Sequence, residues 1–442
     1  MRRSIITLVA ALSLLCGTLT VTDVGADRLP PSPSSHQKRS PSGEGDFQEG
    51  QVIVKFKPGV SPQSALAVVR GLGGESATPT SKIGSRLLKV PVGTELRVVE
   101  ALRSNPNVEY AEANHRCYAL LDPDDPGISA GSQWPLEKIR AFRAWDISVG
   151  GDLAIAVVDT GISPTHPDLV GKVVWGVRYQ DGEEGPDWTD DHGHGTHVAG
   201  IAAAVTNNGT GIAGVSWGAS LLAVKFLYPS GQGVATGTYH DAALGIIAAV
   251  QHGAKVINCS FGGPDYSAEL EDAVRYARDS GALVVAAAGN YASDGPVYPA
   301  AYEGVVAVGA TNRYDQRSSY SNYGPHLWVA APGGDGSGGV YSTFWTSLYG
   351  DGYEWLQGTS MAAPHVSGLA ALIWTVNPAM SPLTLRSVMA QTADDLGAPG
   401  WDDEYGWGRI NAERAARAVA LMVDPNAKRV YVPLVQKNAT VQ

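Results

Sequence analysis

From residue 119 onward, short apolar runs alternate with longer stretches of helical period. The runs 154–158, 221–227, 256–259, 283–287 and 305–308 are apolar at nearly every position. Such runs fit strands buried on both faces of a parallel sheet. Between them, 197–205, 239–252, 267–280, 365–376 and 382–392 carry helix-like patterns. The alternation predicts an α/β fold over 119–422, a doubly wound, mostly parallel sheet with helices on both faces. In such sheets ligands gather at the carboxyl ends of strands. The run after Gly358 is small and apolar on every side, which predicts a buried helix. Pro364 is expected in its first turn, where a missing N–H breaks no bond. Ser360 then stands at the helix N-terminus, where free N–H groups favour a developing anion. A plain N-cap role explains a serine there equally well.

Residues 48–118 follow a different rhythm. Strand patterns at 52–56, near 82, at 87–92 and at 108–113 frame helices opened by Ser61-Pro62 and by Thr94. The order β-α-β-β-α-β predicts a small ferredoxin-like α+β unit. Gly71-Leu72-Gly73-Gly74 follows a helix rather than a strand, so it reads as a turn and not as a dinucleotide site. Residues 1–26 pair Arg2 and Arg3 with an apolar stretch too short to span a bilayer and a small-residue end, the pattern of a secretory signal. Residues 27–47, rich in Pro, Ser and charge, predict a disordered linker. Residues 423–442 form a tail with a candidate strand at 430–435.

Composition narrows the class. The 442-residue chain is 44% hydrophobic with a formal charge of -11 and no recurring basic stretch, which argues against nucleic acid as a partner. No second stretch could cross a membrane, so an exported, soluble protein, monomeric and free of membrane partners, is expected. Cys16 would leave with the signal; Cys117 and Cys259 fall in separate segments, and no disulfide framework follows.

The candidate chemistry lies in three words of sequence. Asp159 ends the first apolar run and precedes Thr160-Gly161. His192, His194 and His197 crowd the start of a helix. Their spacing is not the i, i+4 pair of a zinc protease and no Glu stands between them, so one His acting as a general base explains the adjacent glycines better. Asn290 follows another apolar run and can donate to an oxyanion. Taken together, His194 can take the Ser360 proton, Asp159 can hold the imidazole, and Asn290 with the Ser360 N–H can stabilise a tetrahedral oxyanion. The rival from another class is a catalytically silent scaffold used for binding.

Asp159-Thr160-Gly161, His194-Gly195-Thr196-His197-Val198-Ala199-Gly200 and Gly358-Thr359-Ser360-Met361-Ala362-Ala363-Pro364 resemble the three motifs of subtilisin-like serine proteases, with the flavour of the thermitase-like branch. The resemblance implies a serine endopeptidase with Asp159, His194 and Ser360 as triad, Asn290 as oxyanion donor and His197 as structural. It implies peptide binding by Ser260-Phe261-Gly262 and Gly231-Gln232-Gly233, pairing with substrate as added strands. It implies structural calcium at Asp168, Asn208 and Thr210 by side chain and at Val205 and Ile212 by carbonyl, with Asp125 from the N-terminal arm. Residues 48–118 resemble the inhibitory propeptide of these proteases, which implies a self-processing zymogen cut within about 116–125 and acting on polypeptide substrates. Residues 333–355 read as an insertion forming a surface loop near the cleft.

Overall fold

The computed structural model describes residues 47–79, 83–115, 123–230, 233–336 and 338–423. The expected signal, most of the linker, Cys16, Cys117 and the candidate strand 430–435 lie outside the described residues. Two compact units divide the chain, Met1–Ala119 and Leu120–Gln442.

The first unit is a four-stranded antiparallel sheet of Phe47–Phe56, Glu75–Pro79, Ser85–Lys89 and Val108–His115, in the spatial order second, third, first, fourth. Helices Pro62–Gly71 and Glu95–Arg103 join it, and Val69, Val98 and Leu102 meet Val52, Val54, Leu88 and Ala111 in one small core. This is the split β-α-β arrangement that the order of elements predicts. The second strand comes earlier than expected, and residues 80–82 lie outside the described residues. Ser61 caps the first helix by accepting from Ser64 N–H at 3.1 Å. Thr94 does not cap the second. Its backbone is already helical (φ −107°, ψ −1°), so its hydroxyl turns back and donates to the Pro91 carbonyl at 2.7 Å.

The second unit is built on an eight-stranded sheet. In space its strands run Val329–Pro332, Val306–Thr311, Leu283–Ala287, Ala254–Cys259, Ala154–Asp159, Ser220–Lys225, Val173–Gln180 and Glu183–Gly185. Every pairing is parallel except the last. Side chains of Ala154–Asp159 alternate between two cores. Ile155 and Val157 pack with helices His194–Ala203, Thr359–Val376 and Ala412–Val423; Ala156 and Val158 pack with Tyr239–Gln251 and Ala268–Asp279. Burial on both faces is why the run reads as continuously apolar.

Chain order explains where a site belongs. Ala154–Asp159 leads to strands on one side of itself, and the chain then returns to lay Ala254–Cys259 on the other. The two loops leaving these neighbours diverge and open a crevice at their carboxyl ends.

Two expectations need correction. Pro364 is not in the first turn; the helix begins at Thr359, so the proline lies a turn further in. Its missing N–H leaves the Ser360 carbonyl without its helical partner, and Ser260 Oγ–H supplies one at 2.8 Å. Residues 333–355 are not a surface loop. Val340–Thr346 and Gly350–Leu356 pair as an antiparallel hairpin. Val340, Ser342 and Thr343 are buried, and the two hydroxyls bond to helix His194–Ala203. Ser342 Oγ donates to His197 O at 2.8 Å and Thr343 Oγ1 to Thr196 O at 2.7 Å.

Away from the crevice, buried Arg409 bridges Asp315 and Asp394. Lys138 adds a 3.0 Å contact to Asp315, and Asn411 Nδ2 donates to Asp394 at 3.0 Å. Among the described residues no helix is long and apolar enough to cross a membrane.

Candidate active site

Asp159 is the last residue of its strand and is fully buried. Its Oδ1 lies 2.7 Å from His194 Nδ1 and also accepts Thr160 N–H at 2.8 Å. His194 opens helix His194–Ala203 and keeps its side chain 22% exposed, so one edge of the ring meets solvent. The carboxylate fixes the tautomer: Nδ1 carries the proton and Nε2 presents a lone pair. Burial pushes the His194 pKa down, but Asp159, with Asp190 behind it, outweighs burial and raises it above the ordinary 6.5.

The three histidines do not converge on one ion. His192 Nε2 faces Gly233 O at 3.1 Å. His197 is buried, and burial drives its pKa down to about 3. Its Nε2–H donates to the carbonyls of Val340 and Glu354 at 3.2 and 3.1 Å, so this neutral ring fastens the hairpin to the helix.

Ser360 is the second residue of helix Thr359–Val376. Its hydroxyl donates to the Ser260 carbonyl at 3.0 Å. Among the described residues no hydrogen bond joins it to His194. Asn290 lies beyond the end of strand Leu283–Ala287. Its Oδ1 accepts both the N–H and the hydroxyl of Thr359, each at 2.9 Å. A backbone N–H can only donate, so the amide oxygen faces Thr359 and the amide N–H₂ end faces away. A Cβ on Gly358 would stand 3.4 Å from Asn290 Nδ2 and 3.6 Å from Ser360 N, so both donors border the same small space. Glycine at 358 keeps that space open.

The expected substrate segments fall into place unevenly. Ser260 is buried and turns inward: Asn258 Nδ2 donates to its hydroxyl at 2.9 Å, while its hydroxyl and carbonyl both engage Ser360. Phe261 packs edge-on against Phe226 at 4.6 Å. Gly262 backs onto Val297, whose Cγ1 would lie 2.5 Å from an added Cβ. Gly233 lies in the turn joining the short paired strands Tyr228–Pro229 and Ala235–Thr236. Gly231 and Gln232 lie outside the described residues.

The loop 205–212 wraps Asp168. Asp168 Oδ1 accepts from Asn208 Nδ2 at 2.9 Å; Oδ2 accepts from Ile212 N–H at 2.8 Å and Tyr353 Oη at 3.0 Å. Val205 N–H donates to the Asp168 carbonyl at 2.7 Å, and Thr210 N–H donates to Asn208 Oδ1 at 2.9 Å. Asp125 reaches the same loop. Its Oδ2 accepts from Asn207 N–H at 3.0 Å, while its Oδ1 is buried with no partner. Burial raises both the Asp125 and the Asp168 carboxyl pKa. Two desolvated carboxylates on one loop, one with an unanswered oxygen, suit a hard cation such as calcium.

Several site residues escape sequence reasoning. Asp190 Oδ1 accepts from Thr160 Oγ1–H and from the N–H groups of His192 and Gly193; its Oδ2 accepts from Thr196 N–H and Oγ1–H. It answers the open amides ahead of the helix that carries His194. An acid just before a helical stretch is the one signal that could have marked it. Lys225 is buried beside it, donating to Thr160 O at 2.8 Å and Asp191 Oδ1 at 2.5 Å.

Comparison with known proteins bears on this geometry. The profile of the subtilase family matches residues 150–408, and that of the fervidolysin N-terminal prodomain matches 33–114. A thermophilic serine proteinase of Bacillus sp. (strain AK1) is 41% identical over 382 residues, 86% of this chain and 89% of that protein. Thermitase of Thermoactinomyces vulgaris is 45% identical over 295 residues, 67% of this chain and 99% of thermitase. A solved protease from Pseudoalteromonas arctica superposes with a TM-score of 0.62 at 35% identity, over 67% of this chain and 99% of its own. The chain belongs to the subtilase family, as a thermitase-like serine endopeptidase preceded by a fervidolysin-like prodomain.

Proposed function

We propose that the chain hydrolyses peptide bonds through an acyl-enzyme formed on Ser360. The observation that carries this reading is the 2.7 Å Asp159–His194 contact at the crevice, with Asn290 Nδ2 and Ser360 N bordering one space beside the nucleophile. Ser360 Oγ turns from the Ser260 carbonyl towards His194 as substrate enters; such contacts are often loose without substrate. Oγ attacks the scissile carbonyl while His194 Nε2 takes its proton. Asp159 stabilises the resulting imidazolium, and Asn290 Nδ2 and Ser360 N–H hold the oxyanion. His194 returns the proton to the leaving amine. Water, deprotonated by the same nitrogen, then frees the acid product. Ser260-Phe261-Gly262 and Gly231-Gln232-Gly233 flank an extended substrate, whose backbone supplies sequence-tolerant affinity.

Calcium would be held by Asp125, Asp168, Asn208, Thr210, Val205 and Ile212, giving structural rather than chemical support. The first unit acts as a propeptide that is cut within about 116–125, and the signal pattern of residues 1–26 supports export of the enzyme. Fluorophosphonate labelling tests the central step: an adduct on Ser360 is expected, and its absence from folded protein overturns the assignment. Ser360→Ala is expected to abolish both turnover and self-processing. N-terminal sequencing of the mature form tests the cut.

A further inference from the structure

Asn322 is 1% exposed and lies far in sequence from every residue of the proposed machinery. It follows the turn after strand Val306–Thr311. Its carbonyl accepts from Ser321 Oγ–H at 3.0 Å, but its N–H and its amide oxygen both engage the segment that bears Asn290. Asn322 N–H donates to Gly289 O at 2.9 Å. Its Oδ1 accepts Tyr291 N–H at 2.8 Å and Ser293 N–H at 3.3 Å. The neighbours of Asn322 extend the seam: Ala292 N–H donates to Tyr320 O at 2.8 Å, and Tyr323 N–H to Ser293 O at 3.0 Å.

The segment it grips needs gripping. Gly289 has φ +108° and Ala292 has φ +50°, both in the left-handed region that side chains avoid. Between them Asn290 is exposed, and Thr359 holds it only through its amide oxygen. The other end of the Asn322 amide is informative. Nδ2 is buried with no acceptor, and a Cβ on Gly289 would stand 2.7 Å from it. An unanswered buried donor is a free-energy cost. The working end of this side chain is its oxygen, which answers two amides after Asn290.

We propose that Asn322 is the positioning residue of the oxyanion donor. It holds the 289–293 turn so that Asn290 Nδ2 stays beside Ser360 N when charge develops. This rests on the reading of Asn290 given above. Loss of the grip displaces a donor that matters only in the transition state, so kcat falls and KM does not.

A double-mutant cycle on the self-processed enzyme tests it, with a chromogenic peptide as substrate and active sites counted by fluorophosphonate titration, so that unfolded molecules drop out. Asn322→Ala is expected to lower kcat about ten- to a hundredfold, as a small misplacement of a catalytic group does, with KM within about twofold. Placed on Asn290→Ala, the same change is expected to cost nothing further, since no donor remains to misplace. Asn322→Ser, which keeps a small polar group, serves if the alanine variant does not accumulate. An equal loss of kcat in both backgrounds, or a loss confined to KM, overturns the proposal. If Asn290→Ala itself leaves kcat unchanged, the reading of Asn290 falls first and the proposal with it.

Discussion

At the scale of single residues, the proposed roles of Asp159 and His194 predict a pH response. The carboxylate keeps the His194 pKa above 6.5. A ring that acts as general base must be neutral, so on the proposed mechanism kcat/KM should fall as pH drops through a midpoint above 6.5, which a pH–rate profile checks. Asp159→Asn removes the acceptor that selects the tautomer, and kcat is expected to fall about ten-thousand-fold with folding intact. Removing the proposed oxyanion donor by Asn290→Ala should cost kcat about a hundred- to a thousandfold, the size of loss known for such a donor in a related subtilisin. Much of this scale was legible in the sequence. Asp159 and Asn290 stand out because each follows an apolar run, and the structure puts both at carboxyl ends of strands. Asp190 and Asn322 were not legible. Their side chains serve backbone amides that are remote in sequence or sit in turns, and a polar residue in a turn has many ordinary reasons to be there.

At the scale of elements, the hairpin Val340–Thr346/Gly350–Leu356 and helix His194–Ala203 behave as one block. The buried hydroxyls of Ser342 and Thr343, and the neutral ring of His197, join them through backbone carbonyls. Ser342→Ala with Thr343→Val removes two hydroxyl bonds to carbonyls that keep their partners within the helix. The pair is expected to cost about 1–3 kcal/mol, at about 0.5–1.5 kcal/mol for each hydrogen bond lost. Thermal melting in a Ser360→Ala background, which prevents self-digestion, measures it. The hairpin was misread as a loop because Gly, Ser and Tyr dominate 333–355, and a composition rich in turn residues hides a strand pair held by backbone pairing and buried hydroxyls. Pro364 was misplaced for a related reason. Sequence shows that the proline must forgo a helical bond, but only the fold shows the Ser260 hydroxyl that replaces it.

At the scale of the whole molecule, two clamps bear on stability. Buried Arg409 between Asp315 and Asp394 ties the start of the last helix to a distant loop. Burial alone would raise the Asp315 pKa; Arg409 and Lys138 outweigh it and hold the group below its ordinary 3.8. A depressed acid contributes stability above its unfolded value and loses it as pH falls through the folded one. Arg409→Met should therefore cost about 3 kcal/mol near neutrality, the low end for a broken buried pair because the carboxylates are partly exposed, and less in acid. Urea unfolding at two pH values checks both the size and the sign. If calcium occupies the Asp125–Asp168 loop, adding EGTA to the Ser360→Ala protein should remove about 2.7 kcal/mol relative to calcium at a hundred times Kd, read as a lower Tm. The sheet itself was legible, because burial on both faces prints continuous apolar runs; the order of strands within it was not, since long-range pairing leaves no local mark. That order has a consequence for a cell making this protein. Asp159 stands beside a strand a hundred residues later in synthesis, and Ser360 is delivered by a helix later still. If Ser360 is the nucleophile, a half-translated chain holds neither it nor a finished crevice, so the emerging polypeptide cannot digest its own ribosome-bound neighbours before its last fifth is reached.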